Sequence, residues 1–391
     1  MRHTAILAWR YVTYHRGKTA ILIAAITLVV ALPLAVYRIV DHYERMLTER
    51  AEKTPLLIGA RGSRFDLAFH ALYFRGKVPA GLRMAESNRI LESDLAVPTP
   101  LHVRFTAKGY PVVGTTLEYF DERGLRAGAG TLPVRLGDCV LGSGVAAALD
   151  LGPGDRLISD PENVFDLAGQ YPLNMRVSGV LAQTAGPDDG AVFVALETAW
   201  VIEGLGHGHE DLAEADDSVV LDRDDETIVA NAALPQYQEI TEENVESFHF
   251  HGDPDEFPVT AILAWPRDEK SETILRGRYV GNDTSAQALV PLEVVEELFG
   301  LVFRIKRFFD AQAALVAVST TLFLALVVLL SLRLRLEERR TMHKIGCSRA
   351  TVIGLHVMEL GMILGVSIVL AGALAWIAIR EAPRFLQAIA G

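Results

Sequence analysis

The chain has 391 residues, half of them hydrophobic, and a formal net charge of −12. That is length for two or three domains, and the acidic balance excludes nucleic acid as an expected partner, since phosphate backbones are held by basic surfaces. Its two cysteines, Cys139 and Cys347, leave no disulfide framework.

Residues 1–18 (MRHTAILAWRYVTYHRGK) read as a short cytoplasmic amphipathic helix carrying Ile6, Trp9, Arg10 and Thr13. Trp9, Tyr11 and Tyr14 suit a lipid headgroup zone. Gly17-Lys18-Thr19 resembles the end of a phosphate-binding loop, but Val12 stands where that loop needs its first glycine, so no P-loop ATPase is expected in this chain. A first membrane span covers 19–38: Thr19 to Tyr37 is uncharged and reaches the roughly 20 residues that cross a bilayer core. Its long leader and the immediate Arg38 favour an uncleaved anchor over a cleaved signal.

Residues 38–310 hold 45 of the 49 acidic and 25 of the 37 basic residues, a formal charge of 25 − 45 = −20. A mixed α/β domain with helical stalk ends at 39–54 and 291–310 is expected, the second with Val295, Leu298, Phe299, Val302, Ile305 and Phe309 at helical spacing. Strands are predicted in 102–117, 175–184 and 190–196, with hairpin chemistry at Ala185–Gly190. Helices are predicted at 143–157, closed by Gly152-Pro153-Gly154, and at 198–205. A loop-rich acidic stretch, 206–258, contains two His-x-His pairs: His207 and His209 in GHGHE, and His249 and His251 in FHFHGDPD. With Asp253 and Asp255 they are candidate ligands for zinc or another divalent metal. Solvated loop histidines without a metal are the plainer alternative. Ser143 in LGSGV lacks the nucleophile-elbow pattern, and no catalytic constellation is evident.

A second span is predicted over 311–332 and a third over 353–379, the latter with Glu359 as its only formal charge. His356, three residues before Glu359, is the expected partner of that carboxylate. Gly354, Gly361, Gly365 and Gly372 share one face of the third span, a stripe that would admit a close helix neighbour. Between the spans, 333–352 is basic. Together with Arg2, Arg10, Arg16 and Lys18 it places the N-terminus and this segment in the cytoplasm, residues 39–310 outside, and a short tail, 380–391, outside as well. Cys139 and Cys347 then lie on opposite sides.

This order of segments resembles the FtsX/MacB-like permease family of ABC transporters, including the lipoprotein-releasing permeases. AWRYVTYHRGKTAILIAAITL resembles the family's cytoplasmic helix and first span. VLGSGVAAALDLGPGDRL followed by MRVSGVLAQTAGPDDGAVFVALETAW resembles its MacB-like periplasmic core domain. LLIGARGSRFDLAFHALYFRGKVPAG and FHFHGDPDEFPVTAILAWPRDEKSETILRGRYV resemble segments of one branch. RLRLEERRTMHKIGCSRATVIGLHVMELG resembles its basic helix and Gly-x-Ser turn before the third span. The family usually has four spans, against three expected here. The resemblance implies an inner-membrane permease, paired with a second copy or a related permease in the lipid bilayer. It would transmit the movement of a cytoplasmic ATPase, which binds ATP and magnesium, to the outer domain for export or extraction of a lipoprotein, lipid or amphiphile. Arg339, Arg340, Met342, Lys344, Ile345, Gly346 and Ser348 would then form the ATPase-coupling element. The alternative is a membrane-anchored protein that senses metal or envelope state without an ATPase.

Overall fold

The computed structural model describes residues 2–161, 172–208, 220–224, 227–230, 238–281, 284–334, 341, 344 and 346–390. Helix α1 (Arg2–Tyr14) leads into the 37-residue α2 (Arg16–Glu52). Then come β1 (Leu56–Ala60), α3 (Arg64–Tyr73), β2 (Leu82–Arg83), α4 (Met84–Glu92), β3 (Ala96–Ala107), β4 (Tyr110–Thr115), α5 (Leu117–Arg123), β5 (Ala127–Gly130), β6 (Asp138–Leu141) and α6 (Ser143–Leu149). They are followed by β7 (Arg156–Ile158), β8 (Leu173–Leu181), β9 (Val192–Ala195), α7 (Leu196–Ile202), β10 (Gly206–Gly208), β11 (Val220–Asp224), β12 (Thr227–Ala230), β13 (Gln238–Glu239) and β14 (Phe248–Phe250). The chain closes with β15 (Pro258–Val259), β16 (Ala261–Pro266), α8 (Glu269–Arg278), β17 (Ala286–Leu289), α9 (Pro291–Leu334) and α10 (Arg349–Ala390). Two units result, one of Met1–Leu47 with Leu298–Gly391, the other of Thr48–Glu297.

The second unit is built on an eleven-stranded mixed sheet in the order β13-β8-β6-β9-β4-β3-β16-β1-β17, with β5 and β7 also pairing β8. The stretch predicted as strand over 102–117 is the hairpin β3–β4, its ends joined by the pair Ala107↔Tyr110. Along β8 buried and half-buried residues alternate, the period expected where one strand face meets a core. One apolar cluster gathers Phe105, Cys139, Leu141, Val177, Val192 and Val194 with Val145 of α6 and Val201 of α7. Another gathers Leu56, Ile58, Ile262 and Ala264 with Ile90 of α4, Leu275 of α8 and Trp200.

Three local expectations change. Ala185–Gly190 does not close a hairpin: β6 lies between β8 and β9, parallel to the former and antiparallel to the latter. The segment forms a 3-10 turn at Pro187–Gly190 instead. The helix predicted over 143–157 stops at Leu149, where Asp150 takes a left-handed conformation (φ 55°), so Gly152-Pro153-Gly154 lies beyond its end. The stretch 206–258 is not purely loop but contributes β10 and β14, which pair with each other.

In the first unit α1 packs on α10, and Ala8 is fully buried. Helices α2 and α10 meet through small and hydroxylated residues. Thr27 Oγ1 donates to the Ser367 carbonyl at 3.4 Å, and Ser367 Oγ donates to the carbonyls of Ile23 (3.4 Å) and Ile363 (2.8 Å). Hydroxyls that bond carbonyls let apolar helices approach without leaving polar atoms orphaned. Among the described residues, two helices are long and apolar enough to cross a membrane, over Arg16–Ile39 and Arg349–Ala378. The other span expected, 311–332, falls inside α9, where the described apolar stretch is the shorter Asp310–Phe323. Both predicted stalk ends are helical as continuations of α2 and α9, but the α/β unit begins at Thr48 and ends at Glu297, inside the expected 39–310.

Candidate functional site

Alternation along two very short strands builds a histidine cluster. In the antiparallel pair β10–β14, Gly206 faces Phe250, His207 faces His249 and Gly208 faces Phe248. Residues directly opposed in such a ladder project to one side, and the next pair to the other. The phenylalanines therefore turn inward, where Phe248 and Phe250 pack against a core cluster, and the histidines share the opposite face. The glycines have a steric reason to be glycines. A Cβ on Gly206 would lie 2.7 Å from the Phe250 ring, and one on Gly208 would lie 2.6 Å from the Phe248 ring.

His251 joins from two residues further on, its backbone N–H donating to the Leu205 carbonyl at 3.1 Å. The ring centroids of His207, His249 and His251 lie 5.2, 4.7 and 4.6 Å apart pairwise. One ring nitrogen from each can be chosen so that all three fall within 4.8 Å of one another. His207 and His249 are half-buried and His251 is exposed. His249 Nδ1 lies 3.2 Å from the Ser247 carbonyl; a carbonyl can only accept, so this bond puts the proton on Nδ1 and the lone pair on Nε2.

The expected carboxylate ligands are employed elsewhere. Asp253 caps the 3-10 turn Pro254–Glu256 by accepting from the Asp255 N–H at 3.0 Å. Asp255 accepts from Asn88 Nδ2 at 2.7 Å. The predicted six-residue set thus reduces to three imidazoles, and His209 lies outside the described residues.

A second polar centre was not foreseen from sequence. Arg50, in the last turn of α2, forms a bidentate ion pair with Asp188, whose side chain is 3% exposed. Arg50 also donates to Tyr119 Oη at 2.8 Å and to the Leu72 carbonyl at 3.0 Å, and Tyr119 donates to Asp188 Oδ1 at 2.6 Å. Every strong polar atom of the trio therefore has a partner, the condition under which buried charge is tolerated. Burial would raise the Asp188 carboxyl, but Arg50 outweighs it and holds the group below its usual range. Burial likewise opposes the charge on Arg50, yet Tyr119 and Asp188 keep its pKa above the ordinary value. Burial pushes the Tyr119 hydroxyl well up. The partners stand 69 and 138 residues from Arg50, so no local spacing could have nominated them.

The proposed coupling element is described only in part. Arg339, Arg340, Met342 and Ile345 lie outside the described residues. Lys344 is exposed, Gly346 is left-handed (φ 91°), and Ser348 caps α10 by accepting from the Thr351 N–H at 3.2 Å. The Gly-x-Ser signal is thus a turn followed by a helix N-cap. His356 Nδ1 is 2.8 Å from the Val352 carbonyl one turn back in α10. The glycine stripe is not the packed face of α10: among the described residues nothing lies within 4 Å of a Cβ placed on Gly361, Gly365 or Gly372. Gly354, the fourth of the stripe, is half-buried. The buried face runs through Leu355, Ile363, Ser367, Ala371 and Ala375.

Comparison with known proteins gives little by sequence. No family model matches the chain, and no curated protein matches it. Among solved structures, the periplasmic region of MacB from Actinobacillus actinomycetemcomitans is similar over 64% of this chain and 97% of that one, at 12% identity and a TM-score of 0.36.

Proposed function

We propose that the chain is the permease subunit of an ABC transporter in a bacterial inner membrane. In this reading a separate cytoplasmic ATPase drives the spans, and the α/β unit, held outside, extracts or exports an envelope substrate such as a lipoprotein, lipid or amphiphile. The observation that carries the proposal is the continuity of α2. One helix includes the apolar segment Arg16–Ile39 and carries Arg50 in its last turn, where Asp188 and Tyr119 hold it. In this reading, movement of the apolar segment is passed along the same helix to a residue anchored in the α/β unit. The basic segment between the last two predicted spans, with exposed Lys344 and the Ser348 cap, would receive the ATPase. The motifs resembling FtsX/MacB-like permeases support the same assignment, including pairing with a second permease.

The histidine cluster favours a second reading, a membrane-anchored metal sensor that needs no ATPase. One experiment separates them. Where a P-loop ATPase is encoded beside its gene, the full chain is co-expressed with it and purified in detergent. Stoichiometric co-purification of the ATPase, abolished when Arg339, Arg340 and Lys344 are changed to Glu, is expected. Recovery of the chain alone, or recovery of the complex undiminished by those changes, sinks the permease assignment.

A further inference from the structure

We propose that His207, His249 and His251 form a site for a borderline divalent transition metal, zinc in the first instance, which staples β10 to the segment 248–251.

The donor set specifies the class of ion. Three imidazoles without a carboxylate match zinc, copper or nickel and disfavour calcium and magnesium, which want oxygen. Their geometry is close to what zinc needs. Nitrogen ligands of a tetrahedral zinc sit about 3.3 Å apart; the three here already lie within 4.8 Å. The exposed ring of His251 has room to close that gap. Half the site is held in place by the fold, because the His207↔His249 register is fixed by glycines packed beneath Phe250 and Phe248. The Ser247 carbonyl orients the His249 ring through Nδ1, as outer partners of metal-bound imidazoles commonly do. Three protein ligands leave a fourth position for water or an external donor.

The test uses the untagged full chain in detergent, titrated with Zn2+ against a chromophoric chelator and, separately, with Co2+. One ion per chain is expected, with the visible absorption of a nitrogen-ligated tetrahedral Co2+ and no displacement by equimolar Mg2+. His207→Ala, His249→Ala and His251→Ala should each weaken zinc binding at least tenfold. Zinc should raise the melting temperature of the unaltered chain but not that of His251→Ala. Because His251 is exposed, that variant keeps the test decisive should the other two fail to fold. Absence of stoichiometric zinc binding, ready displacement by Mg2+, or unchanged affinity in His251→Ala would overturn the proposal.

Discussion

Arg50 and Asp188 illustrate how a buried pair is judged by what its removal leaves behind. The side chains are 9% and 3% exposed, so taking away either one strands the other without water. Breaking a pair of this kind costs about 3–5 kcal/mol, whereas replacing both partners by apolar groups costs far less. Arg50→Met and Asp188→Leu should therefore each lower the thermal stability of the full chain sharply. The double variant should recover much of the loss, giving a large coupling energy in the mutant cycle. Additive losses would show that the pair is not a unit. The pH dependence follows from the depressed Asp188 pKa. Its contribution is complete above the unfolded value of about 3.9 and is lost as acid takes the pH down through the folded value. None of this was legible beforehand. Arg50 read as one more charge on a stalk helix, and Asp188 as a turn residue, because the information joining them lies in the sheet order.

The ladder of β10 and β14 was half legible. GHGHE and FHFHGD showed the ligand chemistry at once, while the strands that organise it are only three residues each and too short for periodicity to declare. The aspartates misled for a similar reason: beside a histidine pair they look like ligands, but Pro254 makes the segment a 3-10 turn that uses Asp253 as its cap. The structural claim about this pair is that glycine is obligatory opposite phenylalanine. Phe250 also packs on Trp200 and Phe257, at ring separations of 6.5 and 5.9 Å, so it has little freedom to yield to a new side chain. Gly206→Val and Gly208→Val should then push the strands apart and weaken zinc binding although no ligand is touched. Gly277→Ala, at a position with open space around it, is the control expected to bind as the parent does. Equal affinity in all three variants would show that the strand register does not set the site. At the Gly-x-Ser segment before α10, by contrast, the expected turn is present, and the Ser348 cap is a local signal that needs no tertiary information.

Hydrophobic runs announced the division into an apolar helical part and an α/β part, because twenty uncharged residues have few uses in a folded chain. Strand order was illegible by comparison: β6 inserts between β8 and β9 and the sheet mixes parallel and antiparallel pairs, choices set by packing both faces at once. What joins the two parts is helix continuity in α2, and this makes the mechanical reading testable. In the proposed complex of the full chain with an ATPase, ATP binding should change hydrogen-exchange protection in the turns around Arg50, Tyr119 and Asp188. Inserting three glycines after Arg38 interrupts the helix between the apolar segment and Arg50, at about 1 kcal/mol of helix propensity per glycine. It leaves the Arg50–Asp188 pair and the basic segment before α10 unaltered in sequence. The ATPase should still co-purify, while the ATP-dependent change in protection at the pair should disappear. If that change survives the insertion, α2 is not the transmitting rod, and the path must run through α9, which likewise begins in the α/β unit and continues beyond it as one helix.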